Sequence, residues 1–309
     1  MIRYYHKTLK SKAMKASDKY KVGSWVYVEN PTEAELEELI AKFNLDAGHL
    51  ADALDVDEVP RIEHEDDQMY MFTRFPYTDN DLQIDTSTLL FVLHPDCLIT
   101  VVTQPLPRLD KIVSGKLGVN TTQKVKVMLQ ILEQIDDMFE TYTSNIAKQI
   151  RGIRTRLRHE QVNNRDFVDF VVIEDALNDF LSAQIPMNAI LRRLMLGKQV
   201  RLYEEDRELL EDLQLNNEQS VEAARSSIKT ITNIREAYST IMSNNLNRVI
   251  RILTVATVVL SVPTLVASIY GMNLELPFAD SPVAFAGVVV GSFVLAAAML
   301  VYFRFKRWL

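Results

Sequence analysis

The 309 residues, 48% hydrophobic and 24% charged, suffice for one or two domains with cores of their own. A formal net charge of −7 suits cations better than nucleic acid or anionic lipid as partners. The single cysteine, Cys97, excludes a disulfide framework and a multi-cysteine metal site within one chain, and reads as a packed strand residue in a reducing compartment.

Residues 1–25 are peppered with lysine and contain no apolar h-region, so a solvated first strand is expected there rather than a cleaved secretory peptide. Trp25-Val26-Tyr27-Val28 is β-rich. Asn30-Pro31-Thr32 with Glu35 then supplies an N-cap, an early proline and a capping box, ahead of Leu36, Leu39, Ile40 and Phe43 at helical spacing. Runs at 69–75, 88–93 and 98–103 are β-rich and are separated by turn residues at Pro76-Tyr77-Thr78-Asp79-Asn80-Asp81 and His94-Pro95-Asp96. The last two runs read as a hairpin, and 1–120 as an α+β domain, a mixed sheet flanked by helices.

From Thr121 onward the strand signals stop. Val125, Met128, Leu129, Leu132, Ile135, Met138, Phe139 and Tyr142 follow the helical period. A second helix begins after Val162-Asn163-Asn164 with Phe167, Phe170, Val171, Ile173, Leu177, Phe180 and Leu181, so 121–203 is expected to hold two long antiparallel helices. A third starts near Glu204 and meets no breaker before Pro263, giving a stalk over 204–251 that runs into 252–271. Its apolar stripe, loosely heptad, needs cover from the two preceding helices, from other copies of the chain, or both.

Two stretches, 252–271 and 282–303, carry no charge, and at ~1.5 Å per residue each spans a hydrocarbon core of about 30 Å. They read as two transmembrane helices joined by a loop at 272–281 and followed by a basic tail at 304–309. Arg248 and Arg251 precede the first, and Arg304, Lys306 and Arg307 follow the second. The loop holds Glu275 and Asp280 with no base, so both termini are expected in the cytoplasm, with the chain in the cell (inner) membrane.

Polar residues of the first span recur on one helix face: Asn247, Thr254, Thr257, Ser261, Thr264 and Ser268. Any one hydroxyl can bond back to its own helix or join two helices. The whole stripe, with Asn247 below and Asn273 above, reads as a water-lined path that several copies must converge to enclose. The second span is rich in Gly and Ala, with Ser292 as its hydroxyl, which suits an outer, lipid-facing helix.

The first span closes with Pro263-Thr264-Leu265-Val266-Ala267-Ser268-Ile269-Tyr270-Gly271-Met272-Asn273. This segment, at this place in this layout, resembles the signature of the CorA magnesium transporter family. The resemblance implies a funnel-shaped homo-oligomer, a pentamer, passing hydrated Mg²⁺ and with it Co²⁺ or Ni²⁺, with Gly271, Met272 and Asn273 as selectivity filter. Mg²⁺ gives up its waters reluctantly, so neutral amide oxygens at Asn273 suit its water shell, and Gly271 is expected to permit a tight backbone turn. Thr264 and Asn247 match further polar rings, with Ile250 and Leu253 as a hydrophobic constriction. Where many members carry a Met-Pro-Glu-Leu loop this chain has Leu274-Glu275-Leu276-Pro277, leaving Glu275 and Asp280 to attract cations. The family's sensing of cytosolic Mg²⁺ between subunits would fall to Asp66, Asp67 and Asp212, with Mg²⁺ both transported and regulatory.

Motifs for other classes are missing. Gly115-Lys116 lacks the rest of a phosphate-binding loop, and there is no Gly-x-Ser-x-Gly, His-Glu-x-x-His or Cys-x-x-Cys. An enzyme, a nucleotide-driven pump and an organic cofactor are therefore not expected. The basic run Lys148, Arg151, Arg154, Arg156 and Arg158 has no interleaved aromatics and reads as a solvated helix face. The alternatives are a zinc transporter of the related ZntB branch and a non-conducting membrane-anchored scaffold.

Overall fold

The computed structural model describes all residues except 9–13, 18, 80–82, 107, 115–117, 119, 160–163, 198, 273–281 and 307–309. They form two compact units, Met1–Thr232 and Asn233–Leu309.

The first unit is built on a seven-stranded sheet: β1 (Ile2–His6), β2 (Lys15–Ser17), β3 (Trp25–Glu29), β4 (Arg61–Glu65), β5 (Gln68–Thr78), β6 (Ile84–Leu93) and β7 (Leu98–Val102), in the order β2-β1-β3-β7-β6-β5-β4. The β3–β7 pairing is parallel and the others antiparallel, so the expected mixed sheet is present and 88–93 and 98–103 pair as a hairpin. Its central strands are buried on both faces, which is why β3 and β7 read as unbroken apolar runs. On one face Val26, Val28, Tyr70, Phe72, Leu90, Val92, Ile99 and Val101 alternate inward, against Leu39 and Phe43 of α1 (Glu33–Phe43) and Leu50 of α2 (Ala47–Asp52). The other parity carries Trp25, whose Nε1 donates to Thr100 Oγ1 at 2.9 Å. That indole is fully buried and needs such a partner.

The capping box forms as read. Glu35 N–H donates to Thr32 Oγ1 at 3.3 Å and Thr32 N–H to Glu35 Oε2 at 2.9 Å. One turn expectation is corrected: β5 continues through Pro76 to Thr78 instead of ending at Phe75, with Pro76 opposite Thr86. β4 pairs with β5 only up to Phe72, so beyond it β5 is an edge where a missing N–H is tolerated.

The sheet's second face is covered by α4 (Lys124–His159) and α5 (Asn164–Met195); α3 (Leu109–Val113) is a short connector. Leu132 lies near Leu191, and Phe139 meets Phe180 edge-on at 5.1 Å, so α4 and α5 run antiparallel as expected. α6 (Glu204–Tyr270) begins beside them: Lys126 pairs with Glu205 at 2.5 Å, and Gln184 donates to Ser220 Oγ at 2.9 Å. Val171, read above as part of the α5 stripe, is 52% exposed, because the buried positions Phe170, Ile173 and Leu177 already fill that face.

In the second unit α6 continues from Asn233 to Tyr270 beside α7 (Pro282–Phe305). Both helices are long and apolar enough to cross a membrane. Val255 and Val259 of α6 pack on Ala296, Met299 and Phe303 of α7.

Phe180 is fully buried between Phe139 and Tyr142. Phe180→Ala is expected to cost about 3–5 kcal/mol. Val168→Ala, at a 61% exposed position, should stay within ~0.5 kcal/mol. Thermal denaturation of the two variants side by side checks this, and equal midpoints would contradict the packing described.

Candidate functional site

The α7-facing side of α6 is set by Val255 and Val259. At ~100° per residue, Thr254, Thr257, Ser261, Thr264 and Ser268 centre about 160° around the helix from it. All five are exposed. The hydroxyl stripe thus lies on the side of α6 that its own hairpin partner leaves bare.

Four of these hydroxyls spend their one donor on their own helix. Thr254 donates to Ile250 O at 2.8 Å, Thr257 to Leu253 O at 2.9 Å, Ser261 to Val258 O at 2.8 Å and Thr264 to Leu260 O at 2.9 Å. With the proton turned back into the helix, a hydroxyl offers outward only acceptor lone pairs. One turn before the stripe, Ile250 and Leu253 are 50% and 65% exposed on the same side, and Asn247 is exposed below them. Ile241, Met242, Leu246 and Val249 are bare as well, so the apolar stripe of α6 is uncovered within its unit from Ile241 to Leu253. That stretch is large by the standard of isolated surface apolars.

At the end of α6, Gly271 N–H donates to Ala267 O at 3.0 Å and Met272 N–H to Ile269 O at 3.2 Å, and both residues are exposed. α6 ends at Tyr270 and Gly271 follows it as a turn residue, though it is not among the positive-φ glycines of the described residues, which are Gly23, Gly118 and Gly197. A Cβ at Gly271 would sit 3.4 Å from Ala267 O and 3.5 Å from Ser268 O, ordinary van der Waals distances. Asn273, Glu275 and Asp280 lie outside the described residues.

Asp66 and Asp67 form the exposed turn between β4 and β5, and Asp212 is exposed on α6. Among the described residues no three His, Cys, Asp or Glu side chains gather into a group able to hold a metal within one chain. The sequence reading passed over Asp136 on α4. Burial, followed by the charges of Asp137, Glu140 and Glu133, pushes its carboxyl up to about 7, against a hydrogen bond with Asn216 that lowers it. One acid among four on a helix gives no hint of this; only the packing of α6 across it does.

The family described as CorA-like Mg²⁺ transporter protein matches residues 20–307. The cobalt/magnesium transport protein CorA of Methanocaldococcus jannaschii is 23% identical over 92% of this chain and 91% of its own. The complete structure of the CorA magnesium transporter from that organism superposes with a TM-score of 0.88 at 21% identity, covering 100% of this chain and 99% of the other. The cytoplasmic domain of ZntB from Vibrio parahaemolyticus reaches a TM-score of 0.62 at 10% identity over 78% of this chain and 98% of its own. With two membrane-length helices, a mixed-sheet domain and a family match from residue 20 to residue 307, this membrane protein belongs to the CorA-like Mg²⁺ transporter family.

Proposed function

We propose that this chain is a channel for hydrated Mg²⁺, assembled from several copies that turn their α6 hydroxyl stripes toward a common axis. The observation that carries the reading is the stripe itself: uncovered by α7, and with its donors committed to its own carbonyls. An axis lined by acceptors suits the hydrogens of a cation's water shell and disfavours anions. The bare apolar residues from Ile241 to Leu253 supply the contact between copies, and α7, rich in small residues, forms the outer layer. We take the assembly to be a homopentamer, which is what the family resemblance implies.

In this reading Gly271, Met272 and Asn273 form the selective mouth. Glu275 and Asp280 in the loop attract cations. Thr264 and Asn247 form inner polar rings, with Thr254, Thr257, Ser261 and Ser268 between them. Ile250 and Leu253 form a constriction that closes by dewetting. Both termini face the cytoplasm, and flux is passive and inward, favoured by ~2.3 kcal/mol per charge per 100 mV. Co²⁺ accompanies Mg²⁺, as the name of the M. jannaschii relative records for that protein.

Cytosolic Mg²⁺ closes the channel by binding between subunits. The exposed acids Asp66 and Asp67 of one copy would meet Asp212 of its partner, since the three do not gather within a single chain. Unbridged carboxylates repel, so loss of Mg²⁺ loosens the interface.

In proteoliposomes with a voltage of negative interior, the protein is expected to take up Mg²⁺, and Asn273→Ala to lower uptake tenfold or more, since ~1.4 kcal/mol at the mouth is already a factor of ten. Thr257→Val, which removes the acceptor but keeps the shape, should slow flux while Thr257→Ser restores it. No uptake by the parent protein, or a preference for Zn²⁺ over Mg²⁺, rejects the assignment.

Millimolar Mg²⁺ on the cytoplasmic side should suppress flux, and Asp212→Lys should shift the concentration needed for suppression. Suppression that is missing in the parent protein disproves the gating account and leaves the channel itself standing.

A further inference from the structure

Four elements of the first unit, β5, α4, α5 and α6, close around a cavity of about 20 Å³, room for one water molecule. Two charged side chains line it, Arg74 from β5 and Asp136 from α4, with Gln184 of α5 and Asn217 of α6. Arg74 is buried. Its Nη2 donates to Asp57 at 2.8 Å and its Nη1 to Ser182 Oγ at 3.1 Å, while Nε has no protein partner. A buried guanidinium N–H left unpaired is unfavourable, and a water in the cavity would satisfy it.

Asp136 hydrogen-bonds to Asn216 across the α4–α6 contact. The charges acting on it from its own helix are those of Glu133, Asp137 and Glu140, all negative. From α6, Asp212 adds negative charge at Glu133. From β5, Arg74 is committed to Asp57 and also acts on Asp179 of α5. Nearby cations go to a neighbour: Arg108 and Lys111 pair with Asp137 at 3.2 and 3.9 Å. An acid placed this way stays neutral at little cost and ionises only against its surroundings.

We propose that Asp136 and this cavity form a proton-operated contact between α4 and α6: protonated, the carboxyl closes the contact, and ionised, it draws in water and loosens α6 there. The carboxyl's midpoint of about 7 in the closed form lies above the ~3.9 of a solvated aspartate. A group whose pKa is raised in one state stabilises that state at low pH, and the contribution fades as pH rises through the raised value. The contact is therefore tight below about pH 7 and weakened above it. α6 is the helix that carries the hydroxyl stripe further along, so cytosolic protons acquire a handle on it that is separate from Mg²⁺.

Hydrogen–deuterium exchange of the full chain in lipid nanodiscs, at pH 6 and pH 8 and corrected for intrinsic rates, tests this without reference to transport. Peptides covering 132–140 and 209–217 should exchange about tenfold faster at pH 8, the ratio expected for midpoints of about 7 closed and ~4 open. Asp136→Asn should remove the difference. Equal exchange at the two pH values, or a difference that survives Asp136→Asn, overturns the proposal. Should that variant fail to fold, Asn216→Leu decides: it deletes the one hydrogen bond that lowers the carboxyl's pKa, so the midpoint must rise, and an unmoved midpoint rejects the assignment. Because the readout is exchange, a failed channel assignment and a failed proton contact give different results.

Discussion

A hydroxyl that enters hydrocarbon has one proton to place, and in α6 the proton goes to the carbonyl of the preceding turn. This makes a polar face tolerable on a membrane helix before any partner arrives, and it also fixes the sign of what that face shows. Oxygen lone pairs remain, carrying no formal charge and no free N–H. The opposite side is valine packed on α7. A single α6–α7 hairpin buries only one of these sides, and the other is the one that the proposed assembly turns toward its axis.

The first unit obeys a related economy. Its sheet is covered on both faces, by α1 and α2 on one and by α4 and α5 on the other, and the centre is accordingly apolar on both parities. Polar groups admitted to this interior arrive with partners, as Trp25 does with Thr100 and Gln184 with Ser220. Arg74 Nε is one of the few that depart from that rule, at a small cavity that Asp136 also lines, where three helices meet the sheet.

Features governed by local chemistry were readable from the chain alone. The Thr32–Glu35 box, the run of strands from Met69 to Val102, the start of α6 at Glu204 and its hydroxyl face all depend on residues a few positions apart. Features decided by neighbours remote in sequence were not. β2 and β4 are short edge strands with polar, charged sequences, and only pairing with β1 and β5 makes them strands. Pro76 reads as a turn but occupies a strand because β4 stops short of it. Asp136 resembles its neighbours Glu133 and Asp137 in the sequence and differs from them through what α6 lays across it.

The parallel pairing of β3 with β7 joins residues some seventy positions apart, from Trp25 with Leu98 to Glu29 with Val102, and completes the sheet's middle. Such a closure waits on the intervening chain and is slow compared with a hairpin. Yet all seven strands precede α6 and both apolar stretches. At ~5–20 residues per second, a ribosome delivers β7 roughly 8–30 s before the first of those stretches begins to emerge. The sheet therefore has a window in which to close while the nascent polypeptide is still free of the bilayer, and the slowest step in the soluble part need not compete with insertion.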